Sequence, residues 1–155
     1  MGCKKEEHAS GPRIDIYLLK SFTTTVDQST APATVSITNA VLDDIPLVSD
    51  KDIEAYVKAT STFVLKKDIH TIIRNYGPDK AFAVTVDNQP VYYGQFHPSY
   101  LNSITFGLAT ISPSLLNSDE LQIDFITAEG NSFQQLDNRN NSRIIDALKA
   151  RNRLR

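Results

Sequence analysis

The sequence predicts an α+β domain in which an antiparallel sheet carries helices packed on one face. Three observations point there. Several short runs alternate apolar with polar or small residues, the period of strands. Three other runs place apolar residues at helical spacing. These runs follow one another irregularly, joined by turn-forming residues, and do not alternate strictly as strand and helix. The 155 residues suit a single domain, residues 13–155, behind a flexible stretch at 1–12. A domain of this size buries roughly 70% of its unfolded surface, enough to hold without a disulfide or metal staple.

Taken in order, residues 14–19 are almost wholly apolar and form a central strand. Residues 21–30 are Ser/Thr-rich and read as a polar connection. Val35 and Ile37 share one face of a strand over residues 34–38. Residues 39–48, with Asp43, Asp44 and Pro46, read as a loop. Ser49, with Asp52 three residues on, has capping-box spacing and opens a short helix carrying Ile53, Tyr56 and Val57. Residues 62–65 form a brief strand. Residues 67–76 give the clearest helix, since Ile69, Ile72, Ile73 and Tyr76 fall at i, i+3, i+4 and i+7 before Gly77 and Pro78 stop it. Phe82, Val84 and Val86 alternate along a strand over residues 81–86. Asp87-Asn88-Gln89-Pro90 turns it into a second arm, residues 91–96. Residues 103–111 form another strand and 113–119 a loop. Leu121, Ile123 and Phe125 alternate on a half-buried strand, and Gly130-Asn131 turns the chain. Polar residues 138–142 cap a last helix with Ile144, Ile145 and Leu148 on its stripe; Lys149, Arg151 and Arg153 near its end suit the helix dipole.

Composition narrows the function classes. At 41% hydrophobic and 22% charged residues the chain is too apolar to be disordered. It has no apolar run long enough for a spanning helix. A formal charge of −2 without a basic stripe argues against a nucleic-acid partner. The single cysteine, Cys3, has no intramolecular partner.

Cys3 lies in Met1-Gly2-Cys3-Lys4-Lys5-Glu6-Glu7, a charged tether without the apolar stretch of a secretory signal. The Gly-Cys pair resembles the end of a bacterial lipobox, where a signal peptide is cut before a cysteine that is then acylated. On that reading the signal has been removed, and Met1 is a start codon. The following Lys-then-acidic run resembles the signal that sends lipoproteins of some two-membrane gut bacteria to the outer cell face. The resemblance implies a surface-exposed outer-membrane lipoprotein, held to the membrane by a lipid on Cys3. Two other readings stand beside it. One is myristoyl-plus-palmitoyl acylation, although Glu6 replaces the Ser or Thr that pattern wants; the other is an unmodified cysteine.

Residues 62–65, the helix after them, and Ala81-Phe82-Ala83-Val84-Thr85-Val86-Asp87-Asn88-Gln89-Pro90-Val91 resemble the periplasmic head domain of the SecD subunit of bacterial preprotein translocase. Asn88 stands where that family has Gly. The resemblance spans residues 49–111 and implies a ferredoxin-like α+β layer of noncatalytic, interaction-type ancestry.

Chemistry-bearing groups are sparse. His8 lies in the tether, and His70 flanks the stripe of the 67–76 helix. With no His-x-x-x-His or Cys-x-x-Cys spacing, neither metal nor cofactor is predicted. His97 sits in Tyr92-Tyr93-Gly94-Gln95-Phe96-His97-Pro98-Ser99-Tyr100. Tyr92, Tyr93, His97 and Tyr100 there can make a recognition surface, aromatic rings giving contact area with a polar handle. The plain alternative is that alternate members fill the core. His97 and Ser99 are neighbours, but a nucleophile–base pair also needs an orienting group and an oxyanion site. Asp43-Asp44 and Asp50/Asp52 read as a solvated loop and a helix cap. Asn140-Asn141-Ser142 matches the glycosylation acceptor pattern, which says nothing in a bacterial chain. The expected function is noncatalytic binding of a protein or small-molecule partner. The alternatives are a small hydrolase using His97 and a structural subunit of an envelope complex.

Overall fold

A computed structural model describes residues 11–98, 100–101, 104–113, 117–126 and 133–155. The chain is mostly β, 42% strand and 17% helical, which overturns the α+β, ferredoxin-like expectation of helices layered on a sheet. Strands β1 (Ile14–Asp27), β2 (Thr34–Leu42), β3 (Ile53–Val57), β4 (Thr62–Leu65), β5 (Ala81–Val86), β6 (Gln89–Phe96), β7 (Ala109–Ile111), β8 (Glu120–Gln122) and β9 (Asp124–Phe125) build two sheets. The larger has the order β2-β1-β5-β6-β7-β9 and is mixed, since β7 runs parallel to β6. The smaller is β3-β4-β8.

Two expected helices are not formed as read. Ser49 and Asp52 do make capping contacts: the Ser49 N–H (3.1 Å) and hydroxyl (3.0 Å) both donate to Asp52 Oδ2. They close a single 3₁₀ turn, Asp50–Asp52, after which the chain extends as β3. Ile53, Tyr56 and Val57 are therefore strand residues, paired through a tight turn with β4, and Ser61 takes a left-handed φ of 52°. The 67–76 helix shrinks to one turn, α1 (His70–Ile73). Its Ile69-His70-Thr71-Ile72-Ile73 run is rich in β-branched side chains, which crowd a helix, and Gly77-Pro78 leaves no room to lengthen. Ile69 and Ile73 are buried, but Ile72 is 45% exposed. The expectation that Ile72 packs in the core is corrected accordingly. The last helix forms as read: α2 (Ser142–Ala150) starts at Asn141, whose side chain accepts from the Arg143 N–H (3.0 Å).

β1 is longer than expected because the Ser/Thr-rich stretch is not a loop but a strand arm. Its first residues, Ile14–Leu18, pair with β5, and Leu19–Asp27 pair with β2. Asn39, at φ 53°, bulges β2 where the register shifts between Ser21 and Thr23. Of the strand expected over residues 103–111, Ala109–Ile111 is formed. The Asp87-Asn88 turn is as read, with both residues at positive φ (50° and 65°).

The sheets share one core. Ile14, Ile16, Phe82, Val84, Phe96 and Ile111 of the larger sheet join Ile53, Tyr56, Phe63 and Leu121 of the smaller. Ile144, Ile145 and Leu148 of α2 belong to the same core. The rings of Tyr56 and Phe63 lie 4.6 Å apart, and Phe96 meets Tyr76 and Phe82 edge-on. Gly94 lets β6 approach its neighbours: a Cβ there would strike the Phe82 ring and come within 2.6 Å of the Ala109 carbonyl oxygen. On the other face a smaller cluster joins Leu19, Ile37, Ala81, Ala83 and Leu108 under the β1–β2 arms. This explains why every β5 residue is buried.

The carboxyl end is tied to the amino end. Tyr56 N–H donates to the Arg153 carbonyl (2.9 Å) and Arg155 N–H to that of Tyr56 (2.8 Å), so the tail lies parallel along β3. Asp50 clamps the junction. Its Oδ1 accepts from the Ile14 N–H (2.8 Å) and Arg153 Nη1 (3.1 Å), and its Oδ2 from Arg151 Nη1 (2.6 Å). Arg151 Nη2 reaches the Gly11 carbonyl (2.9 Å).

Candidate functional site

The predicted aromatic segment is split by the strand's alternation. Tyr92 on β6 is buried in the main core, where desolvation pushes its phenol well above the usual range. Tyr93 points to the opposite face and packs against the smaller cluster. Half-buried His97 continues the parallel pairing: its N–H donates to the Ile111 carbonyl (2.8 Å) and its carbonyl accepts from the Ser112 hydroxyl (2.9 Å). Tyr100 is 76% exposed. Cys3 and Ser99 lie outside the described residues, as does the Gly130-Asn131 turn. Among the described residues no cluster of His, Cys, Asp or Glu could hold a metal ion.

The acids separate likewise. Asp44 makes an exposed ion pair with Lys20 (2.7 Å). Asp50, read from sequence as part of a cap, is instead the buried clamp between the chain's ends. A further polar network joins the smaller sheet to the segment that precedes α2. The Tyr56 hydroxyl donates to Asn140 Oδ1 (2.8 Å) and the Arg139 carbonyl (3.1 Å). Arg139 grips both oxygens of Asp137 and donates to the Ile123 carbonyl (3.1 Å). Burial pushes the Asp137 carboxyl up, but the Arg139 hydrogen bonds and charge outweigh it and hold the group below the usual carboxylate range. These bonds satisfy one another, as a structural network requires.

Among the described residues, a concavity lies where the β1–β2 arms end. A cleft of about 350 Å³ opens between the hairpin and the chain around Gly107 and residues 133–136. Val35 N–H donates to the Phe106 carbonyl (3.0 Å), fixing β2 against that segment. Gly107, at φ +79°, allows the close approach: a Cβ would sit 2.9 Å from that of Thr34. Phe133 is buried under the cleft, its ring 6.4 Å from Phe106, and the 3₁₀ turn Gln134–Leu136 forms one wall.

The rim chemistry comes from the hairpin turn. Asp27 Oδ1 accepts from the Ser29 hydroxyl (2.6 Å) and N–H (2.9 Å). Those two bonds hold its carboxyl below the ordinary value. The Thr30 hydroxyl donates to the Asp27 carbonyl (3.2 Å), and the following Ala31–Pro32 peptide is cis. Thr34, Ser36 and Gln135 add neutral polar groups; Val35 and Leu136 add aliphatic ones. His97 does not line this cleft. Sequence reasoning missed it because its walls come from stretches a hundred residues apart. The Asp27-x-Ser29-Thr30 pattern was the local signal, an Asx turn at a hairpin tip.

Compared with protein-family models, curated proteins and solved structures, the chain matches none.

Proposed function

We propose that this protein is a noncatalytic binding domain carried on a bacterial outer membrane by a lipid on Cys3. The observation that carries the binding reading is the cleft at the hairpin tip. It combines a formed concavity, a few convergent polar groups and an apolar floor, which is the make-up of small-molecule sites. The anchoring part rests on the Gly2-Cys3-Lys4-Lys5-Glu6-Glu7 run. Its test is a small-molecule screen followed by amide chemical shifts in the full chain. Binders should move the Thr34, Ser36 and Gly107 signals together. A screen in which every binder moves other residues and leaves these three still would overturn the reading.

A further inference from the structure

Resting on that reading, we infer that the hairpin-tip cleft takes a neutral polyhydroxylated ligand, a sugar ring, through the Asp27 carboxylate and the hydroxyls beside it. The described residues of the lining include one carboxylate and no Lys, Arg or His, so among them nothing offsets the repulsion that a phosphate, sulfate or carboxylate ligand would meet. Asp27 is ionised at neutral pH and therefore only accepts hydrogen bonds. Ser29 occupies its Oδ1, while no hydrogen bond from the described residues goes to Oδ2. Asp27 is exposed, and that oxygen can accept from a ligand that donates. The hydroxyls of Thr34 and Ser36 and the amide of Gln135 can each donate or accept, while the Thr30 hydroxyl, which donates to the Asp27 carbonyl, can accept. A set of groups that serve in either role fits a ligand whose own groups are hydroxyls, since each sugar OH is donor and acceptor at once. Val35 and Leu136 supply aliphatic surface for the C–H face of a ring. At about 350 Å³ the cleft lies near the lower bound for small-molecule sites, a size for one ring and a substituent and not for a long chain.

The test uses the full chain, isotope-labelled and unlipidated. It is titrated separately with glucose, galactose, mannose and N-acetylglucosamine, with choline as a cation and inorganic sulfate as an anion. At least one sugar should move the Thr34, Ser36 and Gly107 amides and the Gln135 side-chain amide to saturation, and sulfate should not. Asp27→Asn should weaken that sugar by roughly tenfold, the scale of losing a charge-assisted hydrogen bond. Gln135→Ala, an exposed position, should weaken it severalfold. The dispersion of both variants' spectra reports that they remain folded. Saturation by choline alone, or sugar shifts unaffected by Asp27→Asn, would overturn the ligand class. If other small molecules move these signals and no sugar does, the class falls while the cleft stands as a site. If nothing moves them, both fall.

Discussion

At the scale of the residue, Asp50 shows how burial changes what an acid does. It is 3% exposed and receives two arginines and a backbone N–H. Asp50→Asn removes the charge that balances Arg151 and Arg153 and replaces one acceptor oxygen with a donor, so it should cost about 3–5 kcal/mol, measured by denaturant unfolding. The sequence alone could not distinguish Asp50 from Asp52, because its partners lie a hundred residues away in a tail that reads as an ordinary basic helix end. Asp137 supports a pH prediction. Its folded pKa is below the unfolded value, so its stabilisation is present above the ordinary carboxylate range and is lost as pH falls through the folded pKa. Asp124, pushed up by burial, acts in the opposite sense. Asp137→Asn should therefore lose less stability than the parent as pH drops from about 5 to about 3, read from thermal midpoints.

At the scale of the element, strands were legible where alternation was strong, even where a neighbouring strand lies far off in sequence. β4, β5, β6 and the Asp87-Asn88 turn fall where periodicity places them. α2 was legible from its polar cap and apolar stripe. The 67–76 stripe misled because i, i+3, i+4 spacing continues for too few turns: one turn points Ile69 and Ile73 inward and leaves Ile72 to the side. Ile73→Ala should then cost about 2–5 kcal/mol, while Ile72→Ala should stay under about 1 kcal/mol; equilibrium unfolding of the pair checks the turn directly. Gly94 gives a second test. Gly94→Ala drives a methyl into the Phe82 ring and the Ala109 carbonyl, and should destabilise by about 1–3 kcal/mol or more.

At the scale of the whole molecule, the sequence left strand pairing open, and pairing decides the architecture. Residues 20–27 are polar enough for a loop, and only their partner β2 makes them a strand. Likewise β3 looks amphipathic at either period until β4 and the carboxyl tail claim its two edges. The candidate cleft was out of reach for the same reason, being assembled from both ends of the chain. The lipid reading is tested in a native host: expressed from its own gene the protein should fractionate with membranes, and Cys3→Ser should release it. Recovery of the parent as a soluble protein with a free thiol would refute anchoring. The Asp50 clamp also bears on how the chain finds its fold. Its ion pairs span 101 and 103 residues, among the longest loops the chain must close. Contacts that close such long loops form late, so the clamp acts as a lock on a fold already assembled. Asp50→Asn should therefore speed unfolding more than it slows folding, read from the two arms of a chevron plot.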